Sequence, residues 1–423
     1  MAINLPDWPS GPALYVLALV AALAGGCRAP AAGRPAGDGD PSAVRFAPAE
    51  TVLAADAVRV PCDVVGGNPI VSAYVNGRGP FRFTVDTGAS SLIVSARLAE
   101  QAGARPTDRP VSTNGVRTGN LYGVDSVSLG GPAGRGAEVR GLDAVVVDLS
   151  HVRDAVGDVD GTLGAAVFRD VLLTIDYPGR AVELSRGRLP PADGRDVVPM
   201  RPANDGLQLT VPLDVAGRRV WVAVDSGNDA DLVLSPGPAK GLPLPVDPRP
   251  VPGMLATLHG LSPLVVDRLG EEARLGRHRL ARPLVTLADA DPDGREKALL
   301  GSGVLRHFVV AVDQRGMVAR FTRAAGESAD GPVEFPPMKG PPFGFDREDG
   351  ALVITRPLDR GPSLEALGLK AGDRITAING RPVAGMPGGD LNDLAAAGAP
   401  WVCDVSRGGR RLTVTVPLVV LVP

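Results

Sequence analysis

Aromatic side chains are scarce in this sequence of 423 residues, where Phe, Trp and Tyr together make up 4%. Glycine and proline are abundant instead, with 54 and 41 residues. Because both residue types interrupt helices and favour turns, this composition predicts many short strands rather than long helices. At this length we expect roughly two to four domains.

Cysteine and histidine are also rare, with three and four residues. The histidines are isolated in sequence, at His151, His259, His278 and His307. No cysteine–histidine group has the spacing of a metal site, so the sequence predicts neither a metal nor a cofactor, and it gives no support for Ser-His-Asp chemistry. Cys62 and Cys403 are far apart in the sequence, which leaves a disulfide between them open.

A strong excess of charge is absent as well, since the formal net charge is −3 at pH 7. Acidic and basic residues are interspersed, and no basic stripe is present. Proteins that bind nucleic acid usually carry such a stripe, so we do not expect nucleic acid as a partner.

An apolar run at residues 13–24 is followed by Gly25-Gly26-Cys27. The run is short for a membrane span but typical of the core of a signal peptide. Small residues before a cysteine resemble a bacterial lipoprotein signal, which implies a lipid anchor at Cys27. The segment before the run lacks Lys and Arg and contains Asp7, so an ordinary secretory signal or a misassigned start stays open. We predict a signal over residues 1–27 and a periplasmic or outer-membrane-anchored bacterial protein.

Two stretches share one pattern, in which an apolar strand runs into an aspartate and a sharp turn. Residues 81–85 lead to Asp86-Thr87-Gly88, and residues 220–224 lead to Asp225-Ser226-Gly227. Glycine permits the turn, and Thr or Ser can hydrogen-bond locally. One such triplet is a weak signal, because short motifs often match by chance.

Matched spacings indicate that the two stretches belong to an internal duplication. Asp86 precedes Gly164 by 78 residues (164 − 86), and Asp225 precedes Gly301 by 76 residues (301 − 225). In both copies that glycine precedes the aspartate of a predicted turn by 12 residues. Two chance triplets would not carry matching downstream strands at such similar distances.

The paired motifs resemble those of the retropepsin-like aspartic proteases, and two copies in one chain resemble the bilobal, pepsin-like layout. This resemblance implies that Asp86 and Asp225 form a catalytic dyad, with Thr87 and Ser226 hydrogen-bonding beneath them. The residues that would support the dyad are Thr87, Gly88, Ser226, Gly227, Leu163, Gly164, Leu300 and Gly301.

Paired carboxylates have a specific chemistry. Two such groups about 3 Å apart cannot both ionise cheaply, so they share one proton. The ionised member can deprotonate a water that attacks a peptide carbonyl, and the protonated member can protonate the leaving amine. A peptide substrate would lie extended, like an added strand. A Gly-rich hairpin near residues 112–123 could cover it as a flap or be an ordinary surface hairpin.

Residues 364–383 resemble a bacterial PDZ domain. We expect helices at Leu364–Leu367 and Asp390–Ala397, a hairpin turn at Asn379-Gly380 and a closing strand at Leu412–Leu421. The resemblance implies that Phe343, Gly344 and Phe345 capture a peptide C-terminus through backbone N–H groups. A docking module that packs on the protease lobes without a free peptide ligand is the alternative.

The predicted fold class is therefore mostly β, with two retropepsin-like acid-protease β-barrel lobes in tandem and a C-terminal α+β PDZ domain. The predicted lobes span residues 58–187 and 205–323, and the PDZ domain spans residues 334–423. Residues 28–57, rich in Ala, Pro, Gly and Asp, are predicted to be a flexible tether, and 324–333 a polar linker.

The second copy departs from the family pattern at Asn228-Asp229-Ala230-Asp231, which is one residue longer and adds two carboxylates. A carboxylate pointing inward there would raise the proton affinity of the dyad. The leading hypothesis is an exported aspartic endopeptidase with a peptide-binding PDZ domain. A non-catalytic peptide-binding envelope protein with a degenerate second lobe is the alternative. A dimer that pairs two copies of Asp86 is a third hypothesis.

Overall fold

The computed structural model describes residues 15–17, 49–113, 116–203, 208–244, 250–257, 260–289, 296–324 and 331–423. These residues form mainly short strands joined by turns, with a PDZ domain at the C-terminal end, so the predicted fold class is confirmed. Among the described residues, no helix has the length and apolar character needed to cross a membrane.

The first lobe is built around one curved sheet that folds back on itself. Its elements, with the N-terminal strand β1, are β1 (Tyr15–Leu17), β2 (Glu50–Leu53), β3 (Ala57–Pro61), β4 (Asp63–Val65), β5 (Asn68–Val75), β6 (Arg78–Val85), β7 (Leu92–Ser95), α1 (Ala96–Ala102), β8 (Arg105–Thr113), β9 (Val116–Leu129), β10 (Ala137–Val147), α2 (Ser150–Val156), β11 (Gly161–Leu163), a 3-10 turn (Ala165–Phe168), β12 (Leu172–Asp176) and β13 (Ala181–Ser185). The sheet order is β2-β10-β7-β11-β6-β5-β9-β8, and an added β10–β9 pairing closes it into a barrel.

The second lobe repeats this arrangement. Its elements are β14 (Val197–Pro199), β15 (Arg201–Ala203), β16 (Gln208–Val215), β17 (Arg218–Asp225), β18 (Leu232–Leu234), α3 (Pro236–Ala239), β19 (Pro250–Thr257), β20 (Gly260–Arg268), β21 (Ala273–Leu275), β22 (His278–Ala281), β23 (Leu284–Leu287), β24 (Ala298–Gly301), α4 (Ser302–Leu305), β25 (Phe308–Asp313) and β26 (Val318–Arg323). In both lobes a short strand lies parallel to the aspartate strand and antiparallel to the strand after it: β11 beside β6 and β7, and β24 beside β17 and β18.

Turn chemistry explains why the hairpins that deliver the aspartates form alike. Asn76 and Gly77 join β5 to β6 with φ angles of 49° and 72°, while Ala216 and Gly217 join β16 to β17 with 49° and 74°. Two consecutive positive φ values define the tight hairpin turn that matches strand twist. The predicted turns at Asn76-Gly77 and near Gly217 are therefore confirmed.

A six-stranded sheet of order β14-β26-β25-β12-β13-β3 joins the two lobes. At its centre the equivalent strands β12 and β25 run antiparallel, with Thr174 opposite Ala311. Each strand ends at the predicted turn aspartate, and the Asp176 and Asp313 carboxylates accept the N–H of Gly179 and Gly316 at 2.8 and 3.0 Å. The duplication inferred from spacing is thus visible as paired strands.

The PDZ domain comes after the second lobe in the chain. The strand β27 (Val333–Glu334) links the second lobe to this domain. The elements of the domain are β28 (Met338–Gly340), β29 (Phe343–Glu348), β30 (Ala351–Pro357), β31 (Arg374–Ile378), β32 (Arg381–Pro382), α5 (Gly388–Ala396), β33 (Trp401–Arg407), β34 (Arg410–Val416) and β35 (Val419–Val422). The predicted helix at Leu364–Leu367 is wrong, because these residues form a single turn. The predicted closing strand is two strands, interrupted at Pro417, which has no N–H to give to a ladder.

Other segments also differ from the sequence-based expectations. The end of the predicted tether is ordered, because Glu50–Leu53 pairs with β10 and buries Leu53. The end of the predicted linker is ordered too, since β27 pairs in parallel with β22 and buries Val333. Each of these segments has only a few apolar residues among polar ones, and this pattern did not predict that either segment would pair as a strand.

The N-terminal apolar run and the cysteines complete the comparison. From the predicted signal, Tyr15–Leu17 pairs in parallel with Met254–Ala256 of β19, whereas Cys27 lies outside the described residues. Cys62 and Cys403 are both free and buried. Burial raises the pKa of the Cys62 thiol to about 11 and that of Cys403 to about 12.

Candidate active site

Each aspartate of the repeated motif lies at the end of a strand that another strand supports from behind. Asp86 follows β6, and its N–H donates to the Leu163 carbonyl of β11 at 3.0 Å. Asp225 ends β17, where it lies opposite Gly301 of β24. The strands that carry the two predicted Leu-Gly pairs therefore hold the two loops in the same way.

Thr87 and Ser226 join the two loops beneath the aspartates. Thr87 Oγ1 donates to the Val224 carbonyl at 2.6 Å, and Ser226 Oγ donates to the Val85 carbonyl at 2.8 Å. In return, Ser226 Oγ accepts the Thr87 N–H at 3.0 Å and Thr87 Oγ1 accepts the Ser226 N–H at 3.2 Å. We call these reciprocal bonds the Thr87–Ser226 link. They are buried and fix one loop directly to the other.

Above this link, the carboxyl groups of Asp86 and Asp225 meet. Both side chains are 0% exposed, and the two groups are close enough to share a hydrogen bond. If both are ionised, their Oδ2 atoms are buried acceptors without a partner in the described part of the chain. One proton held between them supplies the missing donor, and the pair therefore titrates as a unit.

The two carboxyl groups differ in their backbone donors. Asp86 Oδ1 accepts the N–H groups of Gly88 and Ala89 at 2.8 and 3.1 Å, whereas Asp225 Oδ1 accepts that of Gly227 at 3.2 Å. Burial raises the pKa of Asp86 to about 6, and its hydrogen bonds oppose part of that rise. Burial raises the pKa of Asp225 well above its ordinary value, and the charge of Asp86 adds to the rise. With two backbone donors against one, Asp86 is the better place for the negative charge of the pair.

The extra carboxylates of the second loop do not join the dyad. Asp229 Oδ2 accepts the Asn392 amide of the PDZ helix α5 at 3.2 Å. Asp231 is buried, and its Oδ2 accepts the Leu284 N–H at 2.9 Å. Burial raises the pKa of Asp231 to about 6, while the nearby Arg306 and Arg268 oppose that rise. The insertion therefore leaves the carboxyl groups of Asp86 and Asp225 facing each other.

Asn228 is the residue of this insertion that does face the dyad. Its backbone N–H donates to the Asp225 carbonyl at 3.4 Å. Its side-chain amide lowers the pKa of Asp225, although Nδ2 donates no hydrogen bond within the described residues. Its Oδ1 accepts the Ala230 N–H at 2.9 Å, which fixes the side chain from the other end. Asn228 is thus tied to Asp225 through its backbone N–H and to Ala230 through its side chain.

Tyr177 is a neighbour of the dyad that no sequence pattern marked. It follows β12 in the sheet between the lobes, and only 5% of its side chain is exposed. Its pKa is raised well above the ordinary value by burial first and then by the charge of Asp225. In the sequence it stands inside Asp176-Tyr177-Pro178-Gly179, which indicates only a turn.

Two hairpins are candidates to cover the cleft. They are β8–β9 in the first lobe and β19–β20 in the second, both antiparallel. The tips at residues 114–115 and 258–259 lie outside the described residues. The role of the first hairpin as a flap stays a prediction.

Removing one hydroxyl of the Thr87–Ser226 link should weaken the fold. Ser226→Ala leaves the Thr87 N–H and the Val85 carbonyl buried without their partner, so we expect a loss of about 1–3 kcal/mol in unfolding free energy. Urea unfolding measures it. Ser72→Ala, at an exposed position of β5, is the matched control and should stay within about 0.5 kcal/mol of wild type. Equal effects of the two changes would contradict a structural role for the link.

The predicted PDZ site begins at an edge strand. Phe343, Gly344 and Phe345 start β29, whose pairing with β30 shifts register between Gly344 and Phe345. Both phenylalanines are buried in the domain core. Peptide capture by their backbone N–H groups stays a prediction.

Comparison with known proteins agrees with these domains. Residues 71–167 match the family model described as aspartyl protease, and residues 334–393 match that of the PDZ domain. No curated protein matches the chain. The chain is similar to the crystal structure of basic 7S globulin from soybean, with 13% identity and a TM-score of 0.37, over 66% of this chain and 100% of that chain. The chain therefore contains an aspartyl protease domain and a PDZ domain.

The family match includes Asp86 and Leu163-Gly164 but not the second lobe. Asp225 is assigned to the site by geometry alone. Within the described residues, no group of three or more His, Cys, Asp or Glu side chains is arranged to hold a metal ion.

Proposed function

We propose that this chain is an aspartic endopeptidase of the bacterial envelope, which hydrolyses peptide bonds with Asp86, Asp225 and an activated water. The observation that carries the proposal is the buried meeting of two carboxyl groups from one chain above the Thr87–Ser226 link. Burying two carboxyl groups together is costly unless they share a proton, and such arrangements are concentrated at functional sites.

The asymmetry of the dyad suggests a role for each carboxyl group. Asp86 accepts two backbone N–H groups and is the better place for the negative charge, so it would deprotonate the attacking water. Asp225 would keep the shared proton, donate a hydrogen bond to the peptide carbonyl and later protonate the leaving amine. The water oxygen forms the bond to the carbonyl carbon, and the carbon–nitrogen bond breaks.

Substrate entry requires motion, because neither aspartate has exposed surface. We propose that the β8–β9 and β19–β20 hairpins or the lobes move apart to admit an extended peptide. The pairing of Tyr15–Leu17 shows that the edge of β19 accepts an added strand, and removal of the proposed signal over residues 1–27 would free that edge for an extended peptide. We also propose that the chain is exported and lipidated at Cys27. Phe343, Gly344 and Phe345 would capture a peptide C-terminus.

The pH dependence of casein cleavage tests this function. Cleavage needs one proton on the dyad, so we expect the rate to rise as the pH is raised through about 6, where the pair loses its first proton, and to persist at neutral pH because burial holds the second proton to higher pH. The measurement is initial rate between about pH 3 and 8, a range that brackets the transition near pH 6, with Asp86→Asn as the inactive control.

Two outcomes would contradict the proposal. Equal cleavage by wild type and Asp86→Asn would assign the activity to another site or a contaminant. No cleavage by wild type at any pH would favour the non-catalytic peptide-binding protein.

A further inference from the structure

The PDZ helix α5 lies on the seam between the two lobes. On the first lobe, Gly389 is so close to Gly66 that an added Cβ would stand 2.8 Å from the Gly66 Cα. Pro387 packs against Gly157, just beyond α2. On the second lobe, the Asn392 amide donates to Asp229 at 3.2 Å. One helix of the PDZ domain therefore contacts both halves of the protease.

The rest of the PDZ domain is attached firmly to the second lobe. Arg268 is buried and donates to the carbonyls of Phe335 and Pro336 at 3.1 and 2.8 Å, and also to the carbonyl of Pro423. Leu264 of β20 belongs to the same apolar cluster as Leu421 of β35. The start and the end of the PDZ domain are therefore held at one place, which fixes where α5 lies.

The contact at Asp229 leads to the catalytic carboxyl group in two steps. Asp229 adjoins Asn228, whose side-chain amide faces Asp225 and lowers its pKa. Within the lobe, the Asn228 and Ala230 carbonyls accept the N–H groups of Ser302 and Gly303 at 2.6 and 3.1 Å. The Asp231 side chain accepts the Leu284 N–H. Between Asp225 and Asp231, α5 therefore supplies a side-chain anchor from outside the lobe.

We propose that the PDZ domain is a positioning element of the active site, with Asn392 and Asp229 as the positioning residues that hold Asn228 against Asp225. The insertion Asn228-Asp229-Ala230-Asp231 is then a docking loop for α5 rather than a sign of a degenerate lobe. This inference rests on the proposed endopeptidase function. It assigns no contact with substrate to either positioning residue.

A negative charge introduced at the contact tests the proposal in the full chain. Asn392→Asp puts a carboxylate opposite Asp229, and like charges in contact repel. A cavity of about 160 Å³ adjoins both residues, so the new charge can be hydrated and the fold should persist. We expect kcat for casein to fall about tenfold, within the range of couplings between sites, with KM little changed.

The rescue variant separates positioning from a general loss of stability. In Asn392→Asp combined with Asp229→Asn, the amide introduced at position 229 can donate to the carboxylate introduced at position 392. The net charge is then that of wild type, and kcat should return to within about twofold. Asn379→Asp, in the β31–β32 turn where its carboxylate can still accept the Val402 N–H, is the matched control and should behave as wild type.

The pH dependence of kcat separates positioning from a merely structural role, which would leave the pKa of Asp225 unchanged. If Asn392→Asp withdraws the Asn228 amide from Asp225, the pKa of Asp225 rises, so the alkaline limb of kcat moves to higher pH. The double variant should restore it. Wild-type kcat in Asn392→Asp, or failure of the double variant to recover, would overturn the proposal.

Hydrogen exchange keeps this inference distinct from the proposed function. In Asn392→Asp the amides of α5 and of residues 225–231 should exchange faster, and the double variant should restore their protection. If wild type does not cleave casein, the endopeptidase proposal fails while exchange still reports the docking. Unchanged exchange in Asn392→Asp would overturn the docking itself.

Discussion

Asp225→Asn is expected to abolish casein cleavage as completely as Asp86→Asn, with a loss of at least about a thousandfold in kcat in each case. An amide can neither hold the shared proton between two carboxyl groups nor pass it to a leaving amine, and general acid–base catalysis contributes about 10²–10⁴-fold to a rate. When two residues act as a unit, replacing either one already removes their joint effect on kcat. The double variant should therefore be no less active than either single variant. Initial rates at the optimum pH of the wild type measure all three.

The same experiment decides between one chain and two. In the hypothesis of a dimer through the first lobe, two copies of Asp86 would form the dyad, and Asp225→Asn would keep its activity. The described structure already fills that position, because a Cβ at Gly88 would stand 2.4 Å from the Asp225 Cγ. Circular dichroism and urea unfolding of both variants are the controls for folding. Activity that survives in folded Asp225→Asn would contradict the intrachain dyad.

Repetition is what made the site predictable from sequence. Asp86 and Asp225 stand at matched positions before two glycines and two turn aspartates, and matched positions in a duplicated fold must be related by its pseudo-symmetry. The pairing of β12 with β25 is the physical form of that symmetry. Local turn chemistry was readable for the same reason, since Asn76-Gly77 and Asn379-Gly380 need no distant partner to adopt positive φ.

Contacts between distant segments were not predictable. Glu50–Leu53 is a strand only because β10 offers it an edge, and nothing within those four residues specifies that partner. The destination of Asp229 depends on α5, more than 160 residues later in the chain. A carboxylate in an insertion has the same sequence signature whether it disturbs a catalytic pair or anchors another domain.

Gly227→Ala should inactivate the protein without removing any catalytic group. The added methyl would stand 2.3 Å from Cγ and 2.4 Å from Oδ2 of Asp86, inside a region where both side chains are fully buried. The Asp86 carboxyl group must therefore shift, and a misplacement of about 1 Å can lower a rate about 10²-fold. Overpacking of this kind typically lowers the free energy of unfolding by about 1–3 kcal/mol. Casein cleavage and urea unfolding measure the two effects separately.

The pseudo-symmetry of the two lobes provides a second test variant at Gly88, and Gly123 provides a control position. Gly88→Ala should act in the same way from the other lobe, since its methyl would stand 2.4 Å from the Asp225 Cγ. Gly123→Ala lies in β9, where the nearest atoms to an added methyl are 3.9 Å away, and should leave both quantities close to wild type. Casein cleavage by Gly227→Ala as fast as by Gly123→Ala would contradict this expectation. It would mean that activity does not need the close contact of each carboxyl group with the motif glycine of the other lobe. Activity would then require a different arrangement of Asp86 and Asp225 from the one in which they share a proton.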